Sequence, residues 1–121
     1  MENTNWVVEG YVKNDGTEPV EEFLNGLNKK DKAKMLRCIL LLEEFGIRLN
    51  HPHMSYLGDG LLELRSKQSS NINRVIYFHY ENGKFILLHG FTKKTQRTPR
   101  QEIEKAKNYR EDYKNRNKGG V

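Results

Sequence analysis

Residues 61–100 (LLELRSKQSSNINRVIYFHYENGKFILLHGFTKKTQRTPR) have fewer ways to fold than any other part of this chain. Leu62 and Leu64 alternate with Glu63, Arg65 and Lys67, which is the two-residue period of a half-buried strand. Asn82-Gly83 is a strong signal for a tight hairpin, because both residues tolerate positive φ. Phe85-Ile86-Leu87-Leu88 is apolar on both faces, as a central strand requires. The pattern predicts strands over 61–67, 72–80 and 85–91, with a turn at Ser69-Ser70-Asn71. Together they form an antiparallel meander. Cations gather at the strand ends: Arg65, Lys67, Arg74, Lys93, Lys94, Arg97 and Arg100. A small sheet with such a rim is suited to holding phosphates.

The flanking segments supply a scaffold. Residues 6–12 (WVVEGYV) are rich in β-formers and predict a first strand. Asn14-Asp15-Gly16 is turn chemistry. Pro19 suits the first turn of a helix, and Val20, Phe23, Leu24 and Leu27 follow at helical spacing. Asn28 is placed to cap a second helix over 29–45, with Met35, Cys38, Leu41 and Leu42 widening its apolar stripe. Gly46 is placed to end it. Pro52, Gly58 and Gly60 mark 48–60 as a loop. Thr98-Pro99-Arg100-Gln101 reads as a capping box opening a last helix, with Ile103, Ala106, Tyr109 and Tyr113 as its modest apolar stripe. Residues 118–121 are expected to fray. The sum is an α+β fold: a small, mostly antiparallel sheet packed on an N-terminal helix pair, with a C-terminal helix. A chain of 121 residues carries this as one domain, 1–121.

Composition narrows the function classes. No apolar run approaches the ~18 residues of a membrane span, and Met1-Glu2-Asn3-Thr4-Asn5 lacks the basic start and apolar stretch of a leader. With Cys38 as the sole cysteine, no intramolecular disulfide forms, and a reducing cytoplasm fits. His51 and His53 have no further ligands at metal-site spacing, so neither metal nor cofactor is expected. The formal charge is +5 and unevenly placed. From residue 93 onward there are 10 Lys/Arg against 4 Asp/Glu, whereas the first 92 residues carry 11 against 12. Such asymmetry points to an acidic partner, nucleic acid being the commonest; a solvated basic helix is the plain alternative.

Three ordered motifs go further. Tyr56-Leu57-Gly58-Asp59-Gly60-Leu61-Leu62-Glu63-Leu64-Arg65 resembles the sheet entry of RelE-like toxins of the HigB type, a group first labelled phage-derived. Asn73-Arg74-Val75-Ile76-Tyr77 is similar to a strand of the same superfamily. Residues 87–99, LLHGFTKKTQRTP, resemble its most specific segment, and Glu102-Ile103-Glu104-Lys105-Ala106 resembles the usual continuation. The resemblance spans roughly residues 8–115 and implies a RelE/ParE-like fold. It also implies the toxin of a type II toxin–antitoxin system: a metal-independent endoribonuclease that cuts mRNA, typically on the translating ribosome, and is neutralised by a cognate antitoxin. Arg65 and Arg74 match the family's sheet arginines.

The chemistry can be set beside that resemblance. In metal-free RNA cleavage the 2′-OH attacks the neighbouring phosphate and the 5′-oxygen leaves. Negative charge gathers on the phosphoryl oxygens, where fixed cations stabilise the transition state more than the ground state. Arg65, Arg74, Lys93 and Lys94 are candidates for that role, and His89 for acid or base work. Lys67, Arg97 and Arg100 are candidates for gripping the RNA backbone. Plain readings stand beside these. Arg65 shares a strand face with Glu63, as in a structural ion pair. His89 lies between Leu87 and Phe91 on one strand face, as a hydrogen-bonded core histidine would. Two positions depart from the family pattern: Glu63 stands where some members carry a basic residue, and no tyrosine stands just after Lys94 to act as the base used in some of them. A gyrase-poisoning toxin of the same fold and a non-catalytic nucleic-acid-binding module are the alternatives.

Overall fold

The computed structural model describes residues 6–68, 70–81 and 83–117. The expectations for residues 1–5, 69, 82 and 118–121 (the absent leader, parts of two turns and the frayed end) lie outside the described residues. The chain runs β1 (Val7–Gly10), α1 (Pro19–Asn25), α2 (Lys29–Phe45), a 3-10 turn (Gly46–Arg48), β2 (Met54–Gly58), β3 (Leu61–Gln68), β4 (Asn71–His79), β5 (Lys84–Lys93) and α3 (Arg100–Asn117). The five strands form one sheet in the order β1-β5-β4-β3-β2.

The expected meander is present, with β3, β4 and β5 paired antiparallel. The expectation of a mostly antiparallel sheet is corrected, because β1 runs parallel to β5 and the sheet is mixed. The reason is connectivity. After β1 the chain crosses one face of the sheet through α1 and α2, then re-enters at the far edge as β2. The helix pair is also looser than expected. α1 lies on β5 and α2 on β3, so each packs on the sheet more than on the other. The third helix covers the opposite face.

Two cores result. One joins Val20, Leu24, Met35, Cys38 and Leu42 of the N-terminal helices to Leu64, Val75, Tyr77, Phe85 and Leu87. The other joins Ala106 and Tyr113 of α3 to Leu61, Ile76, Phe78, Ile86, Leu88 and Phe91. Strand alternation sorts these sets. The sorting shifts at one place: Ile76 pairs with His89 and Tyr77 with Leu87, leaving Leu88 as a bulge. Leu87 therefore faces α1 and α2, while His89 and Phe91 face α3. The reading that placed all three on one face fails on that extra residue.

Local signals explain the element ends. Asn28 Oδ1 accepts the Asp31 N–H at 2.8 Å, as a cap should. Gly46 ends α2 at φ +55°, and a side chain there would clash with the Trp6 indole. Residues 54–58 are not loop: they form an edge strand on β3. The two-residue connection Asp59-Gly60 has φ +56° and +78°, as a primed hairpin turn requires. That Asp-Gly was the sequence signal for the missed strand.

Candidate nucleic-acid interface

Two strands bring the sheet arginines together. Arg65 on β3 and Arg74 on β4 are Cα partners. The Arg65 N–H turns away from β4 and donates to His53 O at 2.9 Å. The two arginines thus form a non-hydrogen-bonded pair, the arrangement in which opposed side chains come closest. Like charges so placed repel. Glu63, on the same strand face two residues before Arg65, offsets that repulsion. Its carboxylate lies 3.5 Å from Arg65 Nε and 3.8 Å from Arg74 Nη1.

Both guanidinium groups hold one loop. Arg74 donates to Thr95 O and, at 3.2 Å, to Thr98 Oγ1. Arg65 donates to Gln96 O at 2.6 Å. Thr98 shares its hydroxyl proton between the two Glu63 oxygens, at 2.7 and 3.0 Å. Segment 95–98 is therefore fastened to the sheet from beneath. Thr98 spends its hydroxyl on this fastening rather than on capping α3, whose first helical residue is Arg100.

Burial separates the two arginines. Arg74 has no exposed surface, and its guanidinium lies over the Phe91 ring, 5.8 Å from the centroid. Burial pulls its pKa down, against the opposing pull of Glu63; an arginine stays charged through such a shift. Burial likewise pushes the Glu63 carboxyl up, against Thr98 and both arginines. The Arg65 side chain keeps 22% of its surface.

His89 belongs to a neighbouring cluster. Its Nε2 lies 2.6 Å from Glu102 Oε1, and Lys93 Nζ lies 3.9 Å from the other Glu102 oxygen. The His89 ring stacks on Phe91, at 5.5 Å between centroids. Burial lowers the His89 pKa more than Glu102 raises it, so the imidazole is neutral at neutral pH. These sequence-selected residues thus fall into two groups, Arg65–Arg74 and His89–Lys93, each with one buried member, and the Phe91 ring lies between Arg74 and His89.

The other selected cations lie outside these groups. Lys67, Lys94, Arg97 and Arg100 are exposed. Arg97 and Arg100 line a cleft of about 640 Å³ with Lys107 and Glu104. Arg65 and Lys67 line a separate groove of about 410 Å³. Sequence reasoning missed two cations there, Lys34 and Arg37 of α2. Their signal was the i, i+3 spacing beside Cys38, which puts both on one helix flank. Among the described residues no three His, Cys, Asp or Glu side chains are grouped to hold a metal, and no helix is long and apolar enough to cross a membrane.

The arrangement can bind an extended polyanion along the loop and the sheet end, with one partly exposed arginine and one neutral histidine nearby. A model of the family described as phage derived protein Gp49-like (DUF891) matches residues 22–111. No curated protein matches the chain.

Proposed function

The chain belongs to the phage-derived Gp49-like family, a toxin-like family of toxin–antitoxin systems, and on that premise we propose that it is a toxin that cleaves mRNA. In this reading it is a RelE/HigB-like endoribonuclease of a type II system. It works without a metal, in the cytoplasm and on the translating ribosome, and a cognate antitoxin neutralises it. The observation that carries the reading is the fastening of segment 95–98 over Arg65 and Arg74, which presents Lys94, Arg97 and Arg100 outward around a partly open Arg65.

Roles follow from exposure. Arg65 contacts the scissile phosphate and stabilises its developing charge. Lys93 and Lys94 add charge beside it. Arg74 acts through position: it holds the loop and, with Glu63, the orientation of Arg65. His89, kept neutral by burial and fixed by Glu102, is the candidate base for the 2′-OH. Lys67, Arg97 and Arg100 hold the RNA backbone. Because Arg74 is wholly enclosed, a non-catalytic nucleic-acid-binding module is the second reading.

The test is induced expression in a bacterial host, with growth and primer extension on a well-translated message, parent beside Arg65→Ala. Growth arrest with new cuts inside the reading frame, lost in the variant, supports the nuclease. Arrest with intact message and altered DNA topology moves the assignment to a gyrase poison. Binding of RNA without cuts moves it to the binding module.

A further inference from the structure

The groove of about 410 Å³ contrasts with the cations that meet carboxylates: Lys93 meets Glu102, Lys107 and Arg110 meet Asp59, Arg116 meets Asp112, and Lys84 meets Glu9. The 640 Å³ cleft holds Glu104. The groove is lined by Lys34, Arg37, Arg65 and Lys67, and no carboxylate lines it. Lys34, Arg37 and Lys67 form no ion pair among the described residues. Uncompensated cations converging from a helix and a strand on one hollow raise the local positive potential and favour an anion there.

Its shape comes from the sheet edge. β2 pairs with β3 only as far as Leu64, so Arg65 and Lys67 lie on a free edge beneath α2. A free edge would invite an added strand, but three of its outward groups are already engaged. Arg65 N–H donates to His53 O, Lys34 Nζ donates to Lys67 O at 3.0 Å, and the Cys38 thiol donates to Arg65 O at 3.5 Å. Cys38, Ile72 and Pro52 give the groove an apolar lining against which a base can lie, with Ser66 and Gln96 also lining it. Arg65 Nε is buried and makes no hydrogen bond among the described residues.

We propose that this groove seats one nucleotide of single-stranded RNA, its phosphate among Lys34, Arg37 and Lys67 and its base against Cys38, Pro52 and Ile72. The inference rests on the RNA reading above and deepens it. Arg65 is shared between the groove and the loop fastening, so a nucleotide seated here places the adjoining phosphodiester at the partly open guanidinium. A peptide strand from a protein partner is the poorer occupant, because three backbone groups of the edge it would pair with are already engaged.

The test measures binding of a 2′-O-methyl RNA oligonucleotide, which cannot be cleaved, by fluorescence anisotropy over a salt series. The parent is set beside Lys34→Ala/Arg37→Ala and a control of equal charge loss outside the groove, Lys29→Ala/Lys114→Ala. All four side chains are exposed, and matching circular dichroism melts check the fold. The groove variant is expected to bind at least tenfold more weakly, with the salt slope shallower by about 1.4 for two lost phosphate contacts on a single strand. The control is expected to stay within threefold of the parent. Equal losses in both variants, or none in the groove variant while the parent binds, would overturn the groove and leave the RNA reading standing. A parent that binds no RNA would overturn both.

Discussion

Arg65 and Arg74 face one another across two strands, and each reaches a different carbonyl of the same loop, Gln96 O and Thr95 O respectively. Their consequences on removal differ because their burial differs. Arg74→Ala leaves the Glu63 carboxylate enclosed without its fully buried cation and frees the loop. Breaking such a pair costs about 3–5 kcal/mol, to be read by chemical unfolding. Arg65→Ala, at a partly exposed position, is expected to cost about 1 kcal/mol or less. Cleavage should be lost in both, with the fold near parental stability only in Arg65→Ala.

Thr98 links both ends of the buried pair: it donates to Glu63 and accepts from Arg74. Thr98→Val keeps the shape and removes both bonds. The expected loss is about 1–3 kcal/mol, the cost of leaving buried polar groups unpaired. Amide exchange across 95–98 should rise in the same variant. A variant as stable and as protected as the parent would mean that the loop is held by something else.

His89 gives the molecule a pH dependence with a definite sign. Burial lowers its folded pKa below the ordinary 6.5, with Glu102 opposing. The unfolded chain then binds the proton more readily, so the stabilisation is present above about pH 6.5 and is lost as pH falls through the folded value. Glu63, whose pKa burial raises, acts in the opposite sense: its contribution is present at low pH and lost as pH rises through its folded value. The two are separated by comparing parent with His89→Gln at pH 7.5 and 5.5. The variant should lose less stability between those values than the parent does.

Gly46 is fixed by its neighbour as much as by its backbone. An added Cβ would strike the Trp6 ring, at a φ of +55° that side chains rarely adopt. Gly46→Ala is expected to cost about 2 kcal/mol or more. Trp6 is the sole tryptophan, so its fluorescence should shift to longer wavelength as the indole is displaced toward water. An unshifted spectrum with unchanged stability would show that the contact gives way freely.

The meander, the Asn28 cap and the Gly46 stop were legible because each rests on a local rule or a short-period pattern. β2 was hidden by Pro52 and Gly58, although Asp59-Gly60 announced its hairpin. The face of His89 was misread because a single bulged residue, Leu88, inverts the alternation, and no local signal marks it. The parallel placement of β1 depends on where the helices carry the chain. The fastening of segment 95–98 joins residues 21 to 35 positions apart, beyond any local rule. Lys34 and Arg37 were visible as helix-flank cations, but only the end of β2 turns that flank into a groove.

The sheet grips segment 95–98 largely through Thr95 O and Gln96 O, and every amino acid offers a carbonyl. Gln96 and Arg97 can therefore be exchanged without disturbing the hold beneath them. Those two positions are an interchangeable reading head on a constant mount. Substitution at either would retune which anionic surface the protein prefers while its folding stays the same.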